Sequence, residues 1–213
     1  MKLVSKLLAA SALLVAAHSN AVSVDFSSPA WAGANNQMSF TVGSVTATAG
    51  PAGEKLYQDS IDGLGVYGLK EPDEIDFSEF IEITFDTDVL LASVSVSDFF
   101  NRFKDGGDGS DPVRGEVGYL SLWLDGAQLG SSPLTFFGDV SDQANGEQTI
   151  AIAPWAKVDS IKFYTMAKND DFSIKGLEFF TEYTDVPEPS IAVLLGLGLM
   201  GLGLSRRRQA KQA

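Results

Sequence analysis

Runs of alternating apolar and polar residues fill the middle of this chain, and they constrain its fold more than any other feature. The alternation has a period of two residues, the period at which side chains leave opposite faces of a β-strand. It runs through residues 80–85, where only the adjacent pair Phe80 and Ile81 interrupts it, and through the end of the run 89–96, where Val94 and Val96 alternate with serines 93, 95 and 97. No window shows a convincing helical period, so the pattern predicts a domain built from half-buried strands.

About nine such runs, separated by polar turns, lie between residue 22 and residue 184. They cover residues 38–47, 80–85, 89–96, 119–124, 128–129, 149–153, 158–164, 172–174 and 177–183. Asp86-Thr87-Asp88 is short enough for a hairpin turn, and Asp125-Gly126 is typical of a tight turn. Strands at this spacing predict an all-β fold, an antiparallel β-sandwich for which a jelly roll is one arrangement.

The composition is compatible with one packed domain that needs no disulfide. Of the 213 residues, 45 % are hydrophobic and 20 % are charged, a balance that favours a globular core over disorder. The chain has no cysteine, and a domain of this size can fold outside the cell without disulfides when its core is large. We therefore expect a single domain between two terminal segments.

The first 21 residues have the organisation of a secretory signal peptide. Lys2 and Lys6 supply a positive start, and residues 7–17 form an apolar run that is short for a membrane span. Ser19-Asn20-Ala21 then provides the small residues that a signal peptidase requires. We predict cleavage between Ala21 and Val22, with a signal peptide over residues 1–21 and a β-sandwich domain over residues 22–185.

The C-terminal segment, residues 186–213, combines a rigid peptide, an apolar run and a basic cluster. Val186-Pro187-Glu188-Pro189 precedes fourteen uncharged residues, 191–204, which are followed by Arg206, Arg207 and Arg208. As a helix this run spans about 21 Å, against a hydrocarbon core of about 30 Å. Arginine side chains extend such a span by snorkelling and favour the cytoplasmic side, while prolines keep the preceding peptide extended. We expect a transmembrane anchor that presents this peptide to a membrane protease.

Charge is divided unevenly between the middle of the chain and its ends. All 28 acidic residues lie between Asp25 and Glu188, whereas six of the 15 basic residues lie in the two terminal segments. Nine basic against 28 acidic residues give residues 25–188 a formal charge of −19. Such a surface repels phosphate backbones, so we predict that the protein does not bind nucleic acid.

The order of parts in the C-terminal segment resembles the PEP-CTERM sorting signal of Gram-negative bacteria, with the Pro-Glu-Pro triplet unsubstituted. The resemblance implies recognition by an exosortase, a multi-spanning membrane protease that removes such tails. Pro187, Glu188 and Pro189 would then be recognition residues after Val186, and Arg206, Arg207 and Arg208 would form the retention cluster.

The same resemblance implies a route and a partner. The protein would be exported, held at the inner membrane as an intermediate, and then delivered to the cell surface or the medium. Family members are typically associated with extracellular polysaccharide and biofilm production, which implies exopolysaccharide as a partner. A looser likeness to β-rich domains of the family lies in Gly63-Leu64-Gly65-Val66 followed by Asp73-Glu74-Ile75-Asp76, and it implies no particular chemistry.

The mature chain lacks the residue types of most catalytic sites. His18 is the only histidine and lies within the predicted signal peptide, and cysteine is absent. Serine–histidine triads, thiol nucleophiles and His-ligated zinc are therefore excluded. Carboxylate chemistry remains, because a glycosidase needs two carboxyl groups about 5 to 10 Å apart. The sequence offers many candidates and does not choose among them, including Glu74, Glu79, Glu82 and Glu116.

Two kinds of binding residue also remain open. Asp105, Asp108 and Asp111 lie in a Gly-rich loop whose oxygens suit calcium, although the loop lacks the EF-hand register and a solvated turn is the simpler interpretation. Tryptophan side chains either pack in a core or offer a stacking surface to sugars. The chain has three, Trp31, Trp123 and Trp155, and Trp123 lies opposite the leucine face of its strand.

These features predict a non-catalytic surface or extracellular-matrix protein that needs no cofactor, and the family resemblance implies that it is sorted by an exosortase and linked to exopolysaccharide or biofilm. A carbohydrate-binding or carbohydrate-active protein is one alternative, and a calcium-dependent adhesive module is another. The geometry of the folded chain separates them. An exposed Trp123 at a shallow groove favours binding, carboxylates facing across a deep cleft favour hydrolysis, and converging oxygens near Asp108 favour calcium.

Overall fold

The structure, a computed structural model, describes residues 20–68, 73–100, 115–138 and 146–181. Within these ranges the chain forms eleven β-strands and one 3-10 helix, Pro29–Ala34, and every strand pairs in antiparallel fashion. The predicted all-β class is therefore confirmed. The strands are β1 (Asn20–Asp25), β2 (Ser39–Val42), β3 (Val45–Gly50), β4 (Leu56–Gln58), β5 (Leu64–Val66), β6 (Phe80–Ser97), β7 (Val117–Leu124), β8 (Ala127–Gln128), β9 (Leu134–Phe137), β10 (Gln148–Tyr164) and β11 (Ser173–Thr181).

Two long neighbouring strands, β6 and β10, run through both layers of the sandwich. β6 has 18 residues and β10 has 17. They pair with each other along most of their length, with register shifts between Ala151 and Ala156 and between Val158 and Ser160. Irregularities of this kind bend a strand and increase its twist. Each strand therefore leaves one layer and enters the other without a loop.

The two layers are built outward from these shared strands. In the first layer, β3 pairs with residues 80–85 of β6 and β7 pairs with residues 160–164 of β10, while β2, β8 and β9 lie further out. In the second layer, β11 pairs with residues 89–97 of β6, and β1, β5 and β4 follow beyond β11. This is the antiparallel β-sandwich that the sequence predicts.

One hydrophobic core lies between the layers. Strand register selects its members, since Ile83 is opposite both Ala47 and Ile161 and all three are fully buried. Phe85 of the first layer meets Phe179 of the second edge-to-face, with ring centroids 5.0 Å apart. Aromatic pairs of this geometry contribute about 0.5–1.5 kcal/mol beyond the area that they bury. The alternation in the sequence thus identifies the side chains that lie between the layers.

The predicted hairpin at Asp86-Thr87-Asp88 is wrong. Residues 80–85 and 89–96 belong to one strand, β6, and both halves pair with β10 rather than with each other. Asp86 and Thr87 are exposed where the strand bends from one layer to the next, so polar residues cost little there. Exposed polar residues are therefore found both at a bend within a strand and at a hairpin turn, and the sequence does not distinguish the two.

Other strand boundaries change for related reasons. Two further pairs of predicted strands join, residues 149–153 with 158–164 in β10, and residues 172–174 with most of 177–183 in β11. The reverse happens at residues 38–47, where the chain turns at Gly43 and Ser44 between β2 and β3. Gly43 has φ of 60°, a conformation that favours glycine.

The tight turn predicted at Asp125-Gly126 is confirmed. Both residues have positive φ, 53° and 74°, which is the backbone of a two-residue hairpin turn. Trp123 consequently pairs with Gln128, and Leu124 pairs with Ala127. The hairpin thereby sets the register in which Trp123 faces away from the core.

β1 contains the predicted signal-cleavage boundary. Ala21 is opposite Phe180 of β11, and Val22 is opposite Phe179. Val22 and Val24 pack against the core, so the strand after the boundary is stabilised by burial as well as by hydrogen bonds. Residues 1–19 and the sorting segment 186–213 lie outside the described residues. Within the described ranges, no helix has the length and apolarity needed to cross a bilayer.

The two segments of the looser family likeness, residues 63–66 and 73–76, pack against each other. The Val66 N–H donates to the Glu74 carbonyl at 2.9 Å. Gly65 lies so close to this second segment that a β-carbon on it would collide with the Asp73 carbonyl group. Glycine is therefore required by close approach of two backbones, not by a positive φ.

Replacing Gly65 with alanine is expected to destabilise the domain by about 1–3 kcal/mol, because the added methyl group must displace backbone atoms. The urea midpoint of unfolding measures the loss. Ser44→Ala, in an exposed turn, is the matched control and should change stability by less than about 0.5 kcal/mol. Equal midpoints for Gly65→Ala and the native chain would contradict the close packing of these segments.

Candidate functional site

The outer surface of the first layer brings aromatic, hydroxyl and charged side chains together. Alternate residues of β6, β10 and β7 point away from the core, and strand register places them side by side. We call these nine positions the aromatic face. Its three cross-strand rows are Phe80, Tyr164 and Tyr119; Glu82, Lys162 and Ser121; and Thr84, Ser160 and Trp123.

Side chains of the aromatic face contact one another directly. The rings of Tyr119 and Tyr164 stack with centroids 5.7 Å apart and planes 22° from parallel. The Ser121 hydroxyl lies 3.3 Å from the Tyr164 hydroxyl, and the Lys162 ammonium lies 3.5 Å from the centroid of the Phe80 ring. A cation–π contact of this kind contributes about 0.5–2 kcal/mol. These contacts hold the side chains in place before any ligand arrives.

A shallow depression of about 300 Å³ opens on the aromatic face. Trp123 is half-buried there, and the surrounding side chains provide π-faces, an amide, a carboxyl and an ammonium group. Such a mixture suits a ligand that has both apolar faces and many hydroxyl groups. The side chains that define its chemistry are Glu79, Phe80, Trp123, Gln128, Lys162 and Tyr164.

The turn Asp76-Phe77-Ser78-Glu79 forms one border of this depression. The Glu79 N–H donates to the Asp76 carbonyl, and the Asp76 N–H donates to the Glu79 carboxylate, both at 3.0 Å. Phe77 forms a bridge with Thr165, which ties the turn to the end of β10. Phe77 nevertheless stays 44 % exposed.

A second depression, of about 560 Å³, lies on the other side of the turn. It is lined by Pro51, Glu54, Asp76, Phe77 and Lys168, together with Ser78 and Glu79. Ser78 and Glu79 line both depressions, so this turn lies between the two spaces. We refer to the two depressions together as the groove.

Glu79 is a titratable group that lines both depressions. Burial, with smaller contributions from the negative charges of Asp76 and Glu54, raises the pKa of its carboxyl group to about 7. The Asp76 N–H acts in the opposite direction by stabilising the carboxylate. Glu79 therefore changes charge near neutral pH, unlike an ordinary glutamate.

The four carboxylates proposed from the sequence lie in different places. Glu74 and Glu116 are buried, with exposures of 8 % and 3 %, and Glu116 accepts a hydrogen bond from the Phe100 N–H. Glu82 lies on the aromatic face and does not line either depression. Only Glu79 of these four borders the groove. The structure therefore does not unite the four into one catalytic arrangement.

The three tryptophans also lie in different parts of the chain. Trp31 is 1 % exposed and packs edge-to-face on Phe26, with ring centroids 4.7 Å apart, so it is a core residue. The side chain of Trp123 is on the face of β7 that points away from Leu120 and Leu122, as the alternation predicts, and it borders the groove. The side chain of Trp155 lies outside the described residues.

Asp105, Asp108 and Asp111, the residues considered for calcium, lie outside the described residues. In the described ranges, no three His, Cys, Asp or Glu side chains come together as a metal site would require. A carboxyl pair does occur, in which Asp98 and Asp62 share a hydrogen bond. Burial, followed by the charge of Asp62, raises the pKa of Asp98 to about 7.

Comparison with known families identifies the tail. The profile of the PEP-CTERM protein-sorting motif matches residues 185–208, a range that contains the Pro-Glu-Pro triplet and the three arginines. The chain thus contains a PEP-CTERM protein-sorting motif at residues 185–208. It is exported, passes through a membrane-anchored intermediate, and ends at the cell surface or outside the cell. The motif also implies processing by an exosortase-type membrane protein.

Solved structures similar to the domain have low identity. Discoidin II of Dictyostelium discoideum aligns over 80 % of this chain and 58 % of its own length, with 14 % identity and a TM-score of 0.36. A Streptococcus pneumoniae fucose binding module aligns over 78 % and 92 %, with 13 % identity and a TM-score of 0.35. The chain thus spans less than two thirds of the discoidin structure. No protein of curated function matches the chain.

Replacing Glu79 with glutamine is expected to stabilise the domain at pH 8 and to leave its stability at pH 4 unchanged. The folded chain binds the Glu79 proton more tightly than the unfolded chain, so native stability falls as pH rises between about 4.5 and 7. Glutamine removes this loss and still accepts the Asp76 N–H. Thermal unfolding at both pH values measures the difference, and the same shift at pH 4 as at pH 8 would contradict it.

Proposed function

We propose that this is a non-catalytic exported protein that binds extracellular polysaccharide through the aromatic face and the adjoining groove. The observation that favours this function most is Trp123, which borders a shallow depression beside Phe80 and Tyr164 instead of packing in the core. Each π-system can cover the apolar face of a sugar ring, and the hydroxyl, amide and charged groups between them can bind sugar hydroxyls.

The low depth of the groove supports binding rather than turnover. A shallow surface leaves a long polymer free to continue in both directions, whereas catalysis requires groups that enclose the reacting bond and exclude water. The side-chain contacts within the aromatic face also reduce the entropy lost on binding. The protein would thereby attach to a matrix polymer without altering it.

The sorting tail supports the proposal that this binding occurs at the cell surface or outside the cell. We propose three segments, a signal peptide over residues 1–21, the binding domain over residues 22–185 and the sorting segment over residues 186–213. Pro187, Glu188 and Pro189 are the proposed recognition residues for the exosortase, and Arg206 to Arg208 hold the tail at the cytoplasmic side. Removal of the tail frees the domain to meet exopolysaccharide.

Trp123→Ala is expected to weaken binding of the host's own exopolysaccharide by tenfold or more, because the largest π-face of the groove is lost. Affinity electrophoresis in gels that contain this polymer measures the change. Ser93→Ala, on an exposed part of the second layer, is the matched control and should migrate as the native chain does. If Trp123→Ala is retarded as strongly as the native chain, the aromatic face is not the binding surface.

Replacing Pro187, Glu188 and Pro189 together with alanine is expected to leave the protein in the membrane with its tail attached. The intact mass in the membrane and medium fractions reports the outcome. The native chain should appear as a species that begins at Val22 and ends near Pro189, while Gln209→Ala should be processed normally. Native protein found only in membranes, and still containing Arg206 to Arg208, would exclude proteolytic sorting.

Glycoside hydrolysis is a second candidate, favoured by the pKa of Glu79 alone. A carboxyl group that titrates near pH 7 can act as a general acid at neutral pH, and Asp76 lines the same depression. Incubating the protein with the host polymer and measuring new reducing ends tests this function. If new reducing ends form with the native chain and not with Glu79→Gln, hydrolysis of the polymer replaces binding as the proposed function.

A further inference from the structure

Strand β3 continues the first cross-strand row of the aromatic face with a glycine. Gly50 is opposite Phe80 on β6, which is in turn opposite Tyr164 on β10. Neighbours in such a row point to the same side of the sheet, so a side chain at position 50 would belong to the outer surface. Glycine leaves that space open.

The ring of Phe80 fills the space above Gly50. A β-carbon built on Gly50 would overlap three atoms of this ring, Cζ, Cε1 and Cε2. Overlap with all three places the glycine under one face of the ring rather than beside its edge. Phe80 consequently lies flat across β3, and its ring compensates for the side chain that the glycine lacks.

The other face of the same ring is occupied by Lys162. The ammonium of Lys162 lies 3.5 Å from the ring centroid. This ammonium and the Gly50 backbone are both too near the ring to share one face, so the ring lies between them. Phe80 is therefore a platform that rests on the glycine and holds the ammonium.

The platform decides where the Lys162 ammonium lies. Glu82 is directly opposite Lys162 in the sheet, whereas Phe80 is a diagonal neighbour and is further away at the backbone. The ammonium nevertheless lies over Phe80, which lines the depression around Trp123, and Glu82 is outside that lining. Contact with the ring therefore keeps the positive charge in the depression.

A ring face holds a charge without using its hydrogen-bond donors. A lysine ammonium has three N–H donors, and its attraction to a ring is electrostatic. Trp123 and Lys162 line the same depression, so a sugar ring that covers Trp123 can offer its hydroxyl oxygens to this ammonium. Because the ammonium is already held in place, the bond costs less side-chain entropy than one to a mobile lysine.

We propose that Lys162 is a ligand-binding residue of the aromatic face and that Gly50 is a positioning residue. Gly50 acts on the ligand through Phe80 and Lys162. This inference rests on the polysaccharide binding proposed above, and it assigns Phe80 the role of platform within that site. In the bound state, the sugar ring lies on Trp123 and its hydroxyl groups accept hydrogen bonds from the Lys162 ammonium.

The arrangement is tested first without a ligand, by NMR of the detergent-solubilised full chain with 13C-labelled lysine. The ε-methylene protons of Lys162, identified by their absence in Lys162→Arg, should resonate upfield of other lysines, because the ammonium beside them is held over a ring. Gly50→Ala should remove this shift, since its methyl group takes the place of the ring. An unchanged shift would overturn the positioning role, whatever the chain binds.

Gly33→Ala is the matched control for this measurement. A β-carbon at Gly33 would overlap the ring of Phe40, and neither residue lines a depression of the groove. Both glycine variants should therefore lose stability, whereas only Gly50→Ala should change the lysine signal.

Binding of the host exopolysaccharide, measured by affinity electrophoresis, tests the role of the ammonium. Lys162→Met should weaken binding about tenfold, the loss expected for one hydrogen bond from a charged donor. Lys162→Arg should retain most of the affinity, because a guanidinium also stacks on aromatic rings and donates hydrogen bonds. Gly50→Ala should weaken binding several-fold, and Gly33→Ala should leave it unchanged.

A double-mutant cycle separates positioning from a general loss of stability. If Gly50 acts through Lys162, Gly50→Ala should have no further effect on binding in a Lys162→Met background. Independent, additive losses would overturn the positioning role.

The outcomes also separate this inference from the function on which it rests. If Trp123→Ala abolishes binding and Lys162→Met leaves it unchanged, polysaccharide binding is correct and the ligand-binding role of Lys162 is wrong. If the native chain does not bind the host polymer, the proposed function and the role of Lys162 are both wrong. The lysine signal then still shows whether Gly50 positions the ammonium.

Discussion

The ladder between β6 and β10 holds the two layers of this sandwich together. Each strand contributes one half to each layer, and the register shifts at residues 151–160 supply the bend that lets both halves remain paired. All other strands attach to an edge of this pair or to a strand already attached. The position of the bend in β6 and β10 decides which of their residues point towards the opposite layer and which point to the outer surface. The core, the aromatic face and the groove consequently depend on where the two strands bend.

The aromatic face illustrates how the same ladder produces a surface for binding. Inward positions of β6, β10 and β7 take Ile81, Phe163 and Leu120, and the positions beside them take Phe80, Tyr164 and Tyr119. Both faces of the first layer are therefore rich in large side chains. The inner set is covered by the second layer, and the outer set is covered by its own contacts and borders an open groove. A sandwich needs only the inward set of large side chains to form its core, so the outward set is available to bind a ligand.

Much of the fold follows from local pattern, and much of the site does not. Period-two alternation identifies the strands and the outward position of Trp123, and the doublet Phe80–Ile81 marks a strand with large residues on both faces. Alternation does not reveal pairing, so the proximity of Lys162 to Phe80 and of Tyr164 to Tyr119 was not predicted. Glu79 could not be separated from Glu74, Glu82 and Glu116, because burial and the neighbouring turn distinguish them only in the folded chain. The bend at Asp86 was predicted to be a hairpin because solvent exposure favours polar residues at a strand bend and at a hairpin turn alike.

The pairing of β1 with β11 has a consequence for the order of events during export. Val22 and Phe179 are neighbours in the sheet although they lie at opposite ends of the domain in the chain. Since the chain crosses the membrane from its amino end, β1 has no partner until β11 has also crossed. The predicted cleavage bond between Ala21 and Val22 therefore lies in an unpaired strand for almost the whole crossing, which is the extended form that a peptidase needs. Pairing of β1 with β11 would then cover this bond, so we expect cleavage at the predicted position to precede the final step of folding.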